Sequence, residues 1–163
     1  MMKCAECGAD LKTIATTHRY AESGLPDVIL HGVEVRRCRG CAEEEVAIPN
    51  IAGLHRCIAE ILVRRNSALS GAELRFLRQF LGHSSKDFAK ILGVAAETVT
   101  RWQTAGRPVP PAVDRAVRLL VMHTAPRTDY AAELFASIKP HPPKRPRLSL
   151  RLHGNDWQTD KAA

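Results

Sequence analysis

The apolar residues of this chain change their period once, near Pro49, and that change divides it. From Leu11 to Tyr20 and again from Asp27 to Val35, apolar and β-branched residues alternate roughly with polar ones, the two-residue period of a half-buried strand. Ser23-Gly24-Leu25-Pro26 lies between them as a turn. A third short strand, Glu45 to Ile48, stops at Pro49. Beyond it the period becomes helical. Ile51, Leu54, Ile58, Ile61 and Leu62 form one stripe from Asn50 to Asn66, opposite Arg56, Glu60, Arg64 and Arg65. Cys57 sits at the edge of the stripe as a small core residue.

Two serine-led starts follow. Ser70-Gly71-Ala72-Glu73 and Ser84-Ser85-Lys86-Asp87 each place a hydroxyl and a carboxylate where they can bond the free N–H groups of a first helical turn. The first predicted helix buries Leu74, Leu77 and Leu81 and ends at Gly82; the second buries Phe88, Ala89 and Leu92 and ends at Gly93. A third, about Ala95 to Ala105, buries Val99 and Trp102. Pro110-Pro111 opens a fourth with Val113, Val117, Leu120 and Val121 inward. Thr128 caps a fifth through Ala131, Leu134, Phe135 and Ile138. From Lys139 the chain turns basic and proline-rich, the composition of a disordered tail.

The predicted fold class is therefore α+β. A small β-rich domain (1–49) is joined by a linking helix (50–67) to an all-α domain (68–138), with a basic tail (139–163) behind. No apolar run approaches the ~20 residues of a membrane span. Met1-Met2-Lys3-Cys4 leaves no room for a signal peptide before the first cysteine pair, so the expectation is a cytoplasmic, reduced protein.

Charge sharpens the division. The total is +7, yet residues 1–48 hold 6 Lys/Arg against 8 Asp/Glu, a net −2. Residues 49–126 hold 11 against 5, net +6, and residues 127–163 hold 7 against 4, net +3. A basic second half suits a polyanion such as nucleic acid. The acidic first half has another task.

Its cysteines indicate which. Cys4-Ala5-Glu6-Cys7 and Cys38-Arg39-Gly40-Cys41 are two knuckles of identical spacing, and together they offer the four sulfurs of a tetrahedral zinc site. The 30 residues between them must fold as a hairpin that carries the second knuckle back to the first. So small a sheet has little core, and one structural zinc ion per chain would supply the missing folding energy.

The stretch Asp87 to Trp102 fits a helix-turn-helix, with small Ala89 at the helix crossing and Gly93 in the turn. Val94, Val99 and Trp102 anchor its second helix, leaving Ala96, Glu97, Thr98, Thr100 and Arg101 toward a major groove. The Arg101 fork suits guanine O6 and N7. Ser84, Ser85, Lys86, Lys90 and Arg107 suit phosphates, which position a protein without reading sequence.

The order Cys-x-x-Cys, long β-hairpin, Arg-Cys-x-x-Cys, linking helix and Xre-type (lambda-repressor-like) helix-turn-helix resembles the MqsA family of antitoxins, the YgiT-type zinc-finger proteins, over residues 1–125. The resemblance implies a homodimer that represses its own operon at a pseudo-palindromic site on double-stranded DNA. It also implies a ribonuclease toxin bound through residues 1–49, with Cys4, Cys7, Cys38 and Cys41 as ligands and Arg101 as a base contact. Two positions depart from it. Where the best-known member has a base-reading asparagine this chain has Glu97, which cannot make the paired adenine contact and repels phosphate, although it can accept from cytosine N4. The Trp-Glu-x-Gly that closes the family's recognition helix is Trp102-Gln103-Thr104-Ala105-Gly106 here, one residue longer.

Two other readings compete. His31-Gly32-Val33-Glu34 ahead of Cys38 and Cys41 is a poor match to a zinc deaminase: His and Glu are three apart, no proline precedes Cys38, and four thiolates leave no open position for a reactive water. The chain is therefore read as no enzyme. A stand-alone transcription regulator with a structural zinc domain and no toxin is the remaining alternative.

Overall fold

A computed structural model of the chain describes residues 2–104, 106–124, 133–142 and 147–160. The fold is α+β and clusters into two compact units. The first holds the chain up to Tyr20, Asp27–Leu54 and the segment from Arg147 on; the second holds Ala21–Pro26 and His55–Pro146. Among the described residues no helix is long and apolar enough to cross a membrane.

The first unit is a five-stranded sheet built around one long strand. β1 (Leu11–Arg19) and β2 (Val28–Cys38) pair antiparallel, with a register break between Thr16 and His18. The other edge of β2 is shared end to end. Its last turns, Glu34 to Arg37, pair antiparallel with β3 (Glu44–Ala47), whereas Val28 to His31 pair in parallel with Leu148 to Arg151.

That second partner corrects the expectation of a disordered tail. Leu148–His153 is β4, and it turns back into β5 (Asp156–Thr159) through Gly154-Asn155, a two-residue hairpin turn with glycine first. The physical reason is burial. Leu148, Leu150 and Trp157 join Val28, Leu30, Val33 and Val35 in the core of the sheet. The Trp157 indole donates to the Pro49 carbonyl at 3.0 Å, and Arg147 bonds the Asp27 carboxylate at 3.1 Å. Pro143 and Pro146 lie outside the described residues.

The helices follow the predicted order. α1 (Ile51–Arg64) buries Leu54, Ile58, Ala59, Leu62 and Val63, while Ile51, expected inside, is exposed. The Asn50 side chain caps it by accepting from the Gly53 amide at 3.0 Å. α2 (Gly71–Phe80) has the complete capping box: Ser70 accepts from the Glu73 amide and Glu73 from the Ser70 amide. Gly71 is required there by packing, since a Cβ on it would overlap the Trp102 carbonyl oxygen. Phe76 joins Leu74 and Leu77 in the core, while Leu81 forms the half-buried C-cap.

α3 (Ser85–Leu92) and α4 (Ala96–Thr104) flank a three-residue turn. Gly93 takes the left-handed conformation, φ 68°, and the Val94 amide reaches back to the Ala89 carbonyl at 3.0 Å. This is the glycine-terminated helix end that an L side chain resists. Gly93→Ala is accordingly expected to cost ~1–2 kcal/mol, read as a lower urea midpoint; an unchanged midpoint would contradict the assignment.

α5 (Pro111–Thr124) buries Val117 and Val121 as expected, leaves Val113 and Leu120 half-buried, and also buries Asp114 and Arg118. Of the predicted fifth helix, Thr128 and Ala131 lie outside the described residues, and Glu133–Ala136 forms a single turn, α6.

Arg118 is fully buried. Its Nε donates to Asp114, Nη1 to the carbonyls of Val63 (2.9 Å) and Arg65 (2.7 Å), and Nη2 to that of Ser67 (2.7 Å). One guanidinium thus satisfies the carbonyls left free where α1 ends. The other Asp114 oxygen accepts from the Leu69 amide at 2.6 Å.

Candidate functional site: a four-thiol cluster and an exposed helix face

The four cysteines converge at one end of the sheet. Cys38 is the last residue of β2, and the bridge between Lys3 and Asp10 folds the first knuckle onto the start of β1. Within it the Cys4 amide bonds the Ala9 carbonyl at 2.9 Å and the Gly8 amide bonds the Cys4 carbonyl at 2.9 Å. The residue after the second cysteine of each knuckle has a positive φ, 73° at Gly8 and 61° at Ala42. Both knuckles therefore turn the same way, the second with a Cβ to accommodate.

All four Sγ atoms lie within 4.8 Å of one another. Cys4 and Cys41 are 3.7 Å apart and Cys7 and Cys38 3.3 Å. A tetrahedral site with metal–sulfur bonds near 2.3 Å has sulfur–sulfur edges of about 3.8 Å, so the donor set fits a metal ion. Cys4 and Cys38 are buried, Cys7 and Cys41 exposed, and Cys57 stands apart on α1 as a half-buried thiol raised by that burial and by Glu60.

Backbone amides are aimed at the sulfurs. Cys38 Sγ accepts from Cys41 and Gly40, and these bonds bring its thiol down to about 6. The Glu43 amide favours the Cys41 thiolate, but the neighbouring Cys7 and Cys38 thiols oppose it more strongly and push Cys41 up to about 12. Cys7 receives the Ala9 amide, yet competition with Cys38 and desolvation leave it raised. Without a cation these thiols share protons; a divalent ion would replace the protons and need all four as thiolates.

On α4, Val99 and Trp102 face inward while Glu97, Thr100, Arg101 and Thr104 are exposed, with Ala96 and Thr98 half-buried. The Thr100 hydroxyl donates to the Ala96 carbonyl at 3.1 Å, and the Thr104 hydroxyl to that of Thr100 at 2.8 Å. Their hydroxyls are thus turned onto their own helix.

At the start of α3, Lys86 and Lys90 are exposed and Ser85 is half-buried. Ser84 is committed to its cap. Its hydroxyl donates to the Asp87 carboxylate at 2.6 Å and accepts from the Asp87 amide at 3.1 Å. The carboxylate thus bonds the hydroxyl rather than the Ser84 amide, unlike the full box of α2. That bond, with the nearby Lys90 and Lys86, holds Asp87 below its ordinary value, so it keeps a negative charge among the lysines. Arg107 is exposed, beyond the end of α4.

Comparison of the chain with protein-family models, with curated proteins and with solved structures finds no match.

Proposed function

We propose that this protein is a sequence-specific DNA-binding repressor whose α3–turn–α4 segment is a helix-turn-helix and whose four cysteines hold one structural zinc ion. The observation that carries the reading is the face of α4, where Glu97 and Arg101 stand exposed one turn apart on a helix anchored from behind by Val99 and Trp102. A recognition helix needs such a face, because it must present side chains to base edges while its other side stays packed. Zinc is favoured by the all-sulfur, tetrahedral donor set. Four thiolates close the coordination sphere, so the ion organises the fold and offers no position for catalysis.

One such segment reads one half-site. A homodimer would place two recognition helices about 34 Å apart, matching a pseudo-palindromic operator. Within this class we favour the antitoxin of a toxin–antitoxin pair, on the order of the motifs. Charge adds little to that choice, since Glu44 and Glu45 beside the cluster already pair with Arg37 and Arg36. Co-expression of the full-length protein with the products of adjacent genes tests it: a retained ribonuclease supports the antitoxin reading, and no retained partner leaves a stand-alone regulator.

The DNA-binding reading is tested by two substitutions that should fail differently. Arg101→Ala is expected to cost ~1–3 kcal/mol on the selected operator and little on random duplex. Lys86→Ala should weaken both DNAs alike and reduce the salt dependence by about one charge. Equal losses on both DNAs for Arg101→Ala would make it a phosphate clamp and remove the proposed reading face.

A further inference from the structure

We infer that Glu97 is the residue that sets the specificity of this helix, and that it selects cytosine. The inference rests on reading α4 as the recognition helix. Four exposed side chains are available on that face, and two are already spent as polar groups: the Thr100 and Thr104 hydroxyls bond backbone carbonyls of their own helix. This leaves Glu97 and Arg101. They have opposite charge and sit at the i,i+4 spacing at which such side chains commonly pair. Among the described residues, however, neither makes a hydrogen bond or ion pair. Both heads are free to take a ligand.

The chemistry of each head then limits its base. A carboxylate only accepts. In the major groove the base-edge donors are N4 of cytosine and N6 of adenine, and the adenine donor lies beside the N7 acceptor, which repels a carboxylate. Thymine and guanine offer acceptors only. Cytosine is therefore the one base that Glu97 can engage without penalty, while Arg101, a donor only, takes guanine. Their order along α4 sets the order of the bases. Glu97 is the second residue of the helix, where the N-terminal end of the macrodipole favours its negative charge and lowers the cost of bringing it toward DNA. Facing a phosphate, the same carboxylate is repelled, so Glu97 also acts against any register that would press it onto the backbone. The half-site should thus contain a fixed cytosine beside the guanine read by Arg101.

The test is selection from a randomised duplex library by the full-length zinc-loaded protein, compared with Glu97→Gln and Glu97→Ala. Wild type should enrich a half-site with an invariant cytosine at one position. Glutamine keeps the length of the side chain and adds a donor, which suits the adenine N6 and N7 pair. Glu97→Gln should therefore exchange cytosine for adenine at that position, with a change in relative affinity of roughly 5- to 150-fold. Glu97→Ala should lose selection there and keep the guanine of Arg101. If Glu97→Gln enriches the same base as wild type, Glu97 reads nothing and the inference falls while the DNA-binding reading stands. If wild type enriches no sequence, both fall together.

Discussion

Replacing Arg118 with alanine is expected to cost the helical unit about 3–5 kcal/mol, a large share of the ~5–15 kcal/mol that holds a typical domain folded. The side chain is fully buried, so its loss does more than remove one ion pair. Asp114 would keep a buried charge with only the Leu69 amide against it, and the carbonyls of Val63, Arg65 and Ser67 would lose their donor. Arg118→Lys should recover little, because a single ammonium cannot span Asp114 and the end of α1 as a planar fork does. Asp114→Ala should be destabilising too, and the double variant less so than the two losses added together, because both belong to one network. Urea unfolding followed by circular dichroism measures this. A loss below 1 kcal/mol for Arg118→Ala would show that the network is dispensable.

Withdrawing the metal is expected to melt one end of the sheet while the rest persists. Structural zinc in small domains contributes apparent binding energies of about 10–16 kcal/mol, and here the ion would join the start of β1 to the end of β2. Chelation should therefore expose the amides of Cys4 to Leu11 and Glu34 to Ala47. Val28 to His31 pair instead with β4, beside Leu148, Leu150 and Trp157, and should stay protected, as should the helices. Hydrogen exchange before and after chelation would show the boundary. Protected Cys38 and Glu43 amides in the fully stripped protein would sink the expectation; Cys38→Ser should reproduce the chelated pattern. Proton release gives a second check. Cys7 is raised and Cys41 stands near 12, so metal binding at neutral pH must expel at least two protons. Affinity should then rise at least about 100-fold per pH unit from pH 7 toward 9, and fall at least as steeply toward acid.

What the chain reveals in its own letters is what is local. Two Cys-x-x-Cys pairs, a serine three residues before an acid, and a glycine after a helical period each encode their geometry within a few residues. The thiol cluster, the capping of α2 and the turn at Gly93 were legible for that reason. The exposed face of α4 follows from the helical period alone. Arg118 and Asp114 were not legible. In sequence they look like a solvated i,i+4 pair, and only the end of α1, more than fifty residues earlier, makes them a buried one. The commitment of the Ser84 hydroxyl to Asp87 was half visible: the cap could be read, but not that it would consume the group assigned to a phosphate. The hairpin of β4 and β5 was missed although its signal was present. Leu148, Leu150 and Leu152 alternate with polar residues ahead of Gly154-Asn155, yet the prolines and basic residues before them outweighed that pattern. Nothing near residue 148 announces a partner at residue 28.

The pairing of β2 with β4 bears on how the protein is made. Synthesis runs from the N-terminal side, so both cysteine knuckles, β1, β2 and β3 emerge before α1. They emerge incomplete. The strip of β2 from Val28 to His31 has no partner on that side until Leu148 to Arg151 have been synthesised, some 120 residues later. Throughout that interval an apolar strand with an open edge waits in the cell, the condition under which nascent chains pair with one another. The helical unit, whose contacts are nearer in sequence, can close first. Synthesis therefore completes the first-made sheet only after the helices, once β4 has emerged to fill its open edge.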